Sequence, residues 1–158
     1  MKILIILGSG GHTAQMLKLV EMLGDKFDYA YMIGKGDALS EEKIRIKGEI
    51  CHTRLARKYG ENIFMTFLRV AMLSFESFSL ILRIKPQAII SAGPGTAVPV
   101  SLIGKVLGKK VIFIEDWSRV YQKSGAGKII CKFADLFFIQ WPELEKAYPK
   151  GIYAGRLA

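Results

Sequence analysis

The chain has 158 residues, of which 51% are apolar and 23% charged. That length suits one domain, and that apolar content excludes disorder and allows a sizeable core. Lys and Arg number 23 against 14 Asp and Glu, a formal charge of +9, which suits a polyanionic partner: nucleic acid, an anionic membrane or a phosphorylated ligand. The two cysteines, Cys51 and Cys131, have neither CxxC nor metal-ligand spacing. They read as buried thiols in a reducing compartment, which excludes a disulfide framework.

From the N-terminus, the apolar run Met1 to Leu7 breaks at Gly8-Ser9-Gly10-Gly11. It is too short for a signal peptide and reads as a buried strand entering a glycine turn, so the chain is expected to start where its fold starts. Strand-like runs lie at 2–7, 29–33, 49–55, 88–91, 111–114 and 136–139. Four are nearly continuous Val, Ile, Leu and Phe, the pattern of strands covered on both faces of a parallel sheet. Helical patterns lie between them, near 13–23, 40–47, 62–84, 96–107 and 127–134. Ser40 is placed to cap the second helix, with Glu41 and Glu42 in its first turn. Lys43, three residues on, rules out a full capping box. Gly108 after Leu107 marks a helix stop. The alternation predicts an α/β fold: a Rossmann-like, doubly wound, mostly parallel sheet forming a single domain over residues 1–158.

The segment 63–84 stands apart. Fifteen of its 22 residues are apolar, four of them Phe, yet Arg69, Glu76 and Arg83 recur every seven residues. Sevenfold spacing puts the three charges on one helical stripe. The central Glu is costly in a bilayer, which argues against a spanning helix. Two readings remain: a long helix packed on the sheet with one wet stripe, or a helix whose outer apolar surface dips into one leaflet while basic residues grip head groups. The second makes membrane contact peripheral.

Three glycine turns sit where chemistry is expected. Gly8-Ser9-Gly10-Gly11-His12-Thr13 ends the first strand and opens a helix, whose free N–H groups favour phosphate or a developing anion. It is neither a GxGxxG fingerprint nor a P-loop. His12 stands at the carboxyl edge of the sheet, where open α/β folds bind ligands. Ser91-Ala92-Gly93-Pro94-Gly95-Thr96 makes a second such turn. Past another strand, Glu115-Asp116-Trp117-Ser118-Arg119 combines acids, an indole and an arginine, and Ser124-Gly125-Ala126-Gly127-Lys128 places a cation at a helix start. Candidate binding residues are therefore Gly10, Gly11, Thr13, Gly93, Gly95, Thr96, Arg119, Ser124 and Lys128. Arg45, Lys47, Arg54, Arg57 and Lys58 read as a solvated face. Nucleic-acid motifs are absent, and His12 and His52 are not in metal-ligand spacing.

The turns at 8–13 and 91–96, in order with Ile114-Glu115 to Arg119-Val120, Phe138-Ile139-Gln140-Trp141, Tyr148-Pro149 and Tyr153-Ala154-Gly155-Arg156-Leu157, resemble the fourteenth asparagine-linked-glycosylation (Alg) family along essentially the whole chain. That family comprises acceptor-side subunits of two-part UDP-GlcNAc transferases acting on lipid-linked oligosaccharides; the bacterial PssD-type capsule and exopolysaccharide subunits are equally similar. The resemblance implies the N-terminal, acceptor-binding half of a split GT-B glycosyltransferase, an inverting enzyme that needs no metal or other cofactor. It implies a donor-binding partner subunit, a UDP-sugar shared with that partner, a polyprenyl-diphosphate-linked sugar as acceptor, and a place on the cytoplasmic membrane face. His12 would be the general base and Glu115 the second catalytic residue, the two facing one crevice. Glu115 would either orient His12 or itself be the base. Departures are Asp116, where many relatives carry Ser, a partial match of 53–57 to the bacterial arginine-rich loop, and no N-terminal anchor like that of eukaryotic members. The rival readings are a free-standing nucleotide-binding enzyme and a non-catalytic scaffold that recruits the catalytic subunit to the membrane.

Overall fold

In the computed structural model the chain alternates as β1 (Lys2–Ile6), α1 (Gly11–Leu23), β2 (Asp28–Gly34), α2 (Ala38–Glu42), β3 (Gly48–Thr53), α3 (Ile63–Ile84), β4 (Ala88–Ser91), α4 (Ala97–Val106), β5 (Lys110–Ile114), α5 (Gly125–Ile130), β6 (Leu136–Ile139) and β7 (Ile152–Tyr153). Residues 1–56, 60 and 62–157 are described; the basic positions Arg57 and Lys58 lie outside them. All strand pairs are parallel, in the order β3-β2-β1-β4-β5-β6-β7. Side chains alternate across each strand, so Leu4, Ile6, Ile89 and Phe113 pack beneath α3, α4 and α5. Ile3, Ile5, Tyr31 and Ile90 pack on the opposite face with Met16, Leu17 and Val20 of α1. This is the expected doubly wound sheet, and it brings the carboxyl ends of β1, β4 and β5 side by side.

The local differences have identifiable causes. Asp37, not Ser40, caps α2: its Oδ1 accepts from the Ser40 N–H at 3.1 Å, and Ser40 is buried one turn inside. The helix stops at Glu42, short of the expected residue 47, and Ile44 and Ile46 both pack on the sheet. A spacing of two presents side chains to one side only in extended chain. The Tyr31 hydroxyl fixes that segment by donating to the Ile46 carbonyl at 2.8 Å. β7 was not expected; it is a two-residue strand pairing with Phe138 and Ile139 at the sheet edge, too short to show a period. α4 ends as predicted, with Gly108 at φ +72° just past its cap.

Asp135, just before β6, ties two elements together. Its carboxylate meets the Lys105 ammonium of α4 at 2.8 Å and accepts from the Val111 N–H of β5 at 2.9 Å. The hydrogen-bonded Lys105, then the Val111 amide, hold its carboxyl at about 2 rather than 3.8. A depressed carboxyl stabilises the fold above its unfolded value and loses that contribution as pH falls through the folded one. Asp135→Asn should therefore be less stable than wild type near neutral pH, with the two unfolding curves converging as the pH approaches 2.

α3 packs on the sheet and keeps its charged stripe partly exposed, but a second, apolar face is exposed as well. Asn62 caps the helix, its Oδ1 accepting from the Met65 N–H at 2.9 Å. Leu73, Ser77, Leu80, Ile81 and Ile84 form the buried stripe. The charges turn toward the β3 edge: Glu76 meets the Arg54 guanidinium at 3.2 Å and Arg83 meets Glu49 at 3.3 Å. Consequently the solvent-facing side is apolar, with Ile63 89%, Phe64 72%, Phe67 73% and Phe75 76% exposed. Four large apolar side chains on one helix, each mostly uncovered, mark an interaction surface rather than scattered exposure.

Candidate functional site

A cleft of about 530 Å³ opens at the carboxyl edge of the sheet, lined by the turns after β1, β2 and β4. His12, Gly8 and Ser9 come from the first turn, Lys35 and Asp37 from the second, and Pro94, Gly95 and Thr96 from the third. Neither α1 nor α4 has a side-chain cap. At α1 the first-turn N–H groups and the positive dipole end are thus left for a ligand with anionic oxygens, whereas at α4 the Ala97 and Val98 N–H groups already donate to the Pro94 and Gly95 carbonyls and Pro99 has none to offer. Gly10, at φ +60°, and Gly95 face open space, so backbone there is accessible to close approach.

His12 is wedged between the two glycine turns. A Cβ on Gly8 would lie 2.9 Å from the His12 Cβ, and one on Gly93 would lie 2.8 Å from its Cε1. Gly93 also sits at φ +85°, so both backbone and imidazole demand glycine there. The His12 Nδ1 is enclosed, makes no hydrogen bond, and lies 3.7 Å from Asp116 Oδ2. Gly11 makes room for Trp117, whose indole Nε1 would be 3.4 Å from a Cβ there. With its amide turned to face donors, Gln15 accepts from the Trp117 indole and backbone N–H groups, both at 3.0 Å.

Glu115 is placed differently from the expectation. Its side chain is 0% exposed and points away from the cleft, toward α5. Oε1 accepts from the Asp116 N–H at 2.9 Å, and Oε2 accepts from the Ser124 N–H at 3.3 Å and from the Tyr148 hydroxyl. Burial, then this bond to Glu115, pushes the Tyr148 phenol above its ordinary value, so it stays a donor. A Cβ on Gly127 would collide with the Glu115 carboxylate and the Tyr148 hydroxyl, which is why α5 carries glycine there.

His12, Gly95 and Thr96 thus line the cleft and Gly93 lies against the His12 ring, whereas Gly11 lies against Trp117 and Gly10 faces open space. Thr13 does not face it: it is buried, donating to the Gly8 carbonyl at 2.6 Å and touching Ser40 at 3.0 Å. Ser124 is occupied in capping α5, accepting from the Gly127 N–H at 2.8 Å. Arg119 and Lys128 are exposed and do not line the cleft. Sequence reasoning missed Lys35 and Asp37, although Gly34-Lys35-Gly36-Asp37 is itself a glycine turn closing a strand. It also missed Gln140, which is buried, donates to the Glu115 carbonyl at 2.7 Å and accepts from the Leu157 N–H at 2.8 Å.

Solved structures share this architecture. MurG of Acinetobacter baumannii superposes with a TM-score of 0.73 at 14% identity, over 90% of this chain and 42% of that one. UDP-GlcNAc 2-epimerase of Neisseria meningitidis gives 0.72 at 13% identity, over 99% of this chain and 47% of that one. The chain therefore spans less than half the length of these structures, and its fold class is one Rossmann-like half of the GT-B type. Among curated proteins, the mouse protein named UDP-N-acetylglucosamine transferase subunit ALG14 is 33% identical over 99% of this chain and 83% of its own length. The fission-yeast protein of the same name is likewise 33% identical over 99% and 83%. Residues 3–157 match the family described as oligosaccharide biosynthesis protein Alg14 like, and the chain belongs to that family.

Proposed function

We propose that this chain is the acceptor-binding subunit of a two-subunit transferase that moves GlcNAc from UDP-GlcNAc to a polyprenyl-diphosphate-linked sugar at the cytoplasmic face of a membrane. The observation that carries the reading is His12, held in the cleft between two helix N-termini that have no side-chain caps. The acceptor diphosphate would lie against the N-terminus of α1, with Lys35 and the Gly93–Thr96 turn beside it. His12 would accept the proton of the acceptor hydroxyl as that oxygen forms its bond to the sugar's anomeric carbon. The bond from that carbon to the UDP oxygen breaks on the opposite face, and its electron pair leaves with UDP. Imidazole suits this role near neutral pH. The names of the relatives support UDP-GlcNAc as donor and the status of a subunit.

One sheet supplies one wall of a GT-B crevice, so the donor would be held mainly by the partner. The purified chain alone should transfer no sugar, while co-expression with a candidate donor-binding subunit should restore transfer from UDP-GlcNAc to a polyprenyl-diphosphate-sugar. Full turnover by the single chain would instead favour a free-standing enzyme.

The apolar outer face of α3 supports peripheral membrane contact, since a lipid acceptor must be met at the interface. The chain should bind anionic liposomes, with binding weakened by salt. Phe64→Ser and Phe67→Ser should each weaken it about tenfold, because burying a Phe side chain is worth roughly 1.5–3 kcal/mol. Co-sedimentation checks this, and carbonate-resistant attachment would instead mean an integral helix.

A further inference from the structure

The enclosed Nδ1 of His12 is a buried polar atom without a hydrogen-bond partner. Such an atom is costly unless something nearby completes it. The group that faces it is Asp116 Oδ2 at 3.7 Å, a carboxylate with 16% side-chain exposure. Asp116 is itself fixed on three sides: Oδ1 accepts from the Ser118 N–H at 2.9 Å, its N–H donates to Glu115 Oε1 at 2.9 Å, and its carbonyl accepts from the Arg119 N–H at 2.9 Å. The loop is anchored further by the Trp141 indole, which donates to the Trp117 carbonyl at 2.6 Å. On the other side, a Cβ on Gly93 would lie 3.1 Å from His12 Nδ1 and 3.5 Å from the Asp116 Cβ. The glycine is what lets imidazole and carboxylate share that space.

We propose that Asp116, rather than Glu115, is the positioning residue for His12: Oδ2 takes the Nδ1 proton in a hydrogen bond, fixes the imidazole as the Nδ1–H tautomer, and leaves the Nε2 lone pair for the cleft. The gap closes by less than 1 Å to reach hydrogen-bond length, a tightening usual when a catalytic site fills. Glu115 serves this pair indirectly, by holding the Asp116 backbone from a buried position. The other charged residues that line the cleft with His12 are Lys35 and Asp37 of the β2–α2 turn. Asp116 favours the imidazolium that forms when Nε2 receives a proton, so it supports the base in its loaded state. The inference rests on the transferase reading only for the identity of the hydroxyl.

The chain has two histidines, which makes imidazole nitrogen NMR a direct probe, with His52→Gln assigning the signals. The full chain should show His12 as the Nδ1–H tautomer. Asp116→Asn and Asp116→Ser, a smaller side chain at the same position, should each shift the ring toward the Nε2–H tautomer. Glu115→Gln should leave the tautomer unchanged. In the assembled complex, Asp116→Asn should reduce kcat about 10²-fold or more with KM held. A His12 tautomer unmoved by both Asp116 variants, or an Nε2–H tautomer in wild type, would overturn the pairing. A wild-type complex that transfers no sugar would overturn the transferase reading while leaving the NMR result standing.

Discussion

His12→Ala should lower sugar transfer by the assembled complex about 10²–10⁴-fold, the usual worth of a positioned acid–base group. The loss should fall on kcat, because the diphosphate contacts supplied by the two glycine turns remain. The substitution is mild for the fold: the side chain is 28% exposed and sits in the first turn of α1, where alanine is a good helix former. It removes the ring that lies against Gly8 and Gly93 and leaves both hydrophobic clusters intact. Unfolding stability should stay within about 1 kcal/mol, and partner binding should survive. Steady-state assay of co-purified subunits measures the effect. Full activity of the His12→Ala complex would place the chemistry in the partner and favour the scaffold reading, for which the apolar outer face of α3 would be the working surface.

What the sequence made legible follows from where its signals are unambiguous. β1, β4 and β5 are short apolar runs ending in glycine or acidic turns, so the parallel sheet and its cleft edge could be read directly. The periodicity of α3 gave its length and its charged stripe, but not its orientation. Which stripe faces water depends on Arg54 and Glu49, which draw Glu76 and Arg83 onto the β3 edge. The least legible point was the choice between neighbouring acids. Past the end of β5, adjacent side chains point to opposite sides, so Glu115 and Asp116 cannot both face His12. Glu115 goes inward because Gly127 leaves space for its carboxylate and Tyr148 donates to it, both far along the chain. Tyr148 was visible only as part of a family pattern, with no sign that its hydroxyl would reach back across the sheet.

Glu115→Ala should destabilise the isolated chain by about 3–5 kcal/mol, the range for removing one partner of a buried charged network. The carboxylate is fully buried and takes three donors: the Asp116 and Ser124 backbone amides and the Tyr148 hydroxyl. Alanine leaves all three without an acceptor and opens a void against Gly127, where the carboxylate now fills the gap. Each buried donor left unpaired costs about 1–3 kcal/mol, and relaxation recovers part of the sum. For a chain of this size the melting temperature should drop by about 10 °C. Glu115→Gln should cost less, because it keeps the shape and one carbonyl acceptor while turning an amide N–H₂ toward one existing donor. Tyr148→Phe should cost about 1 kcal/mol, since it removes a donor and leaves Glu115 with two. Adding Tyr148→Phe to Glu115→Ala should then cost almost nothing more, because the hydroxyl has no acceptor left to lose. Thermal and urea unfolding of the four variants gives the cycle. A Glu115→Ala chain that melts with wild type would show that these bonds exchange freely for water, and the account of Glu115 as the buried anchor of the Asp116 loop would fail.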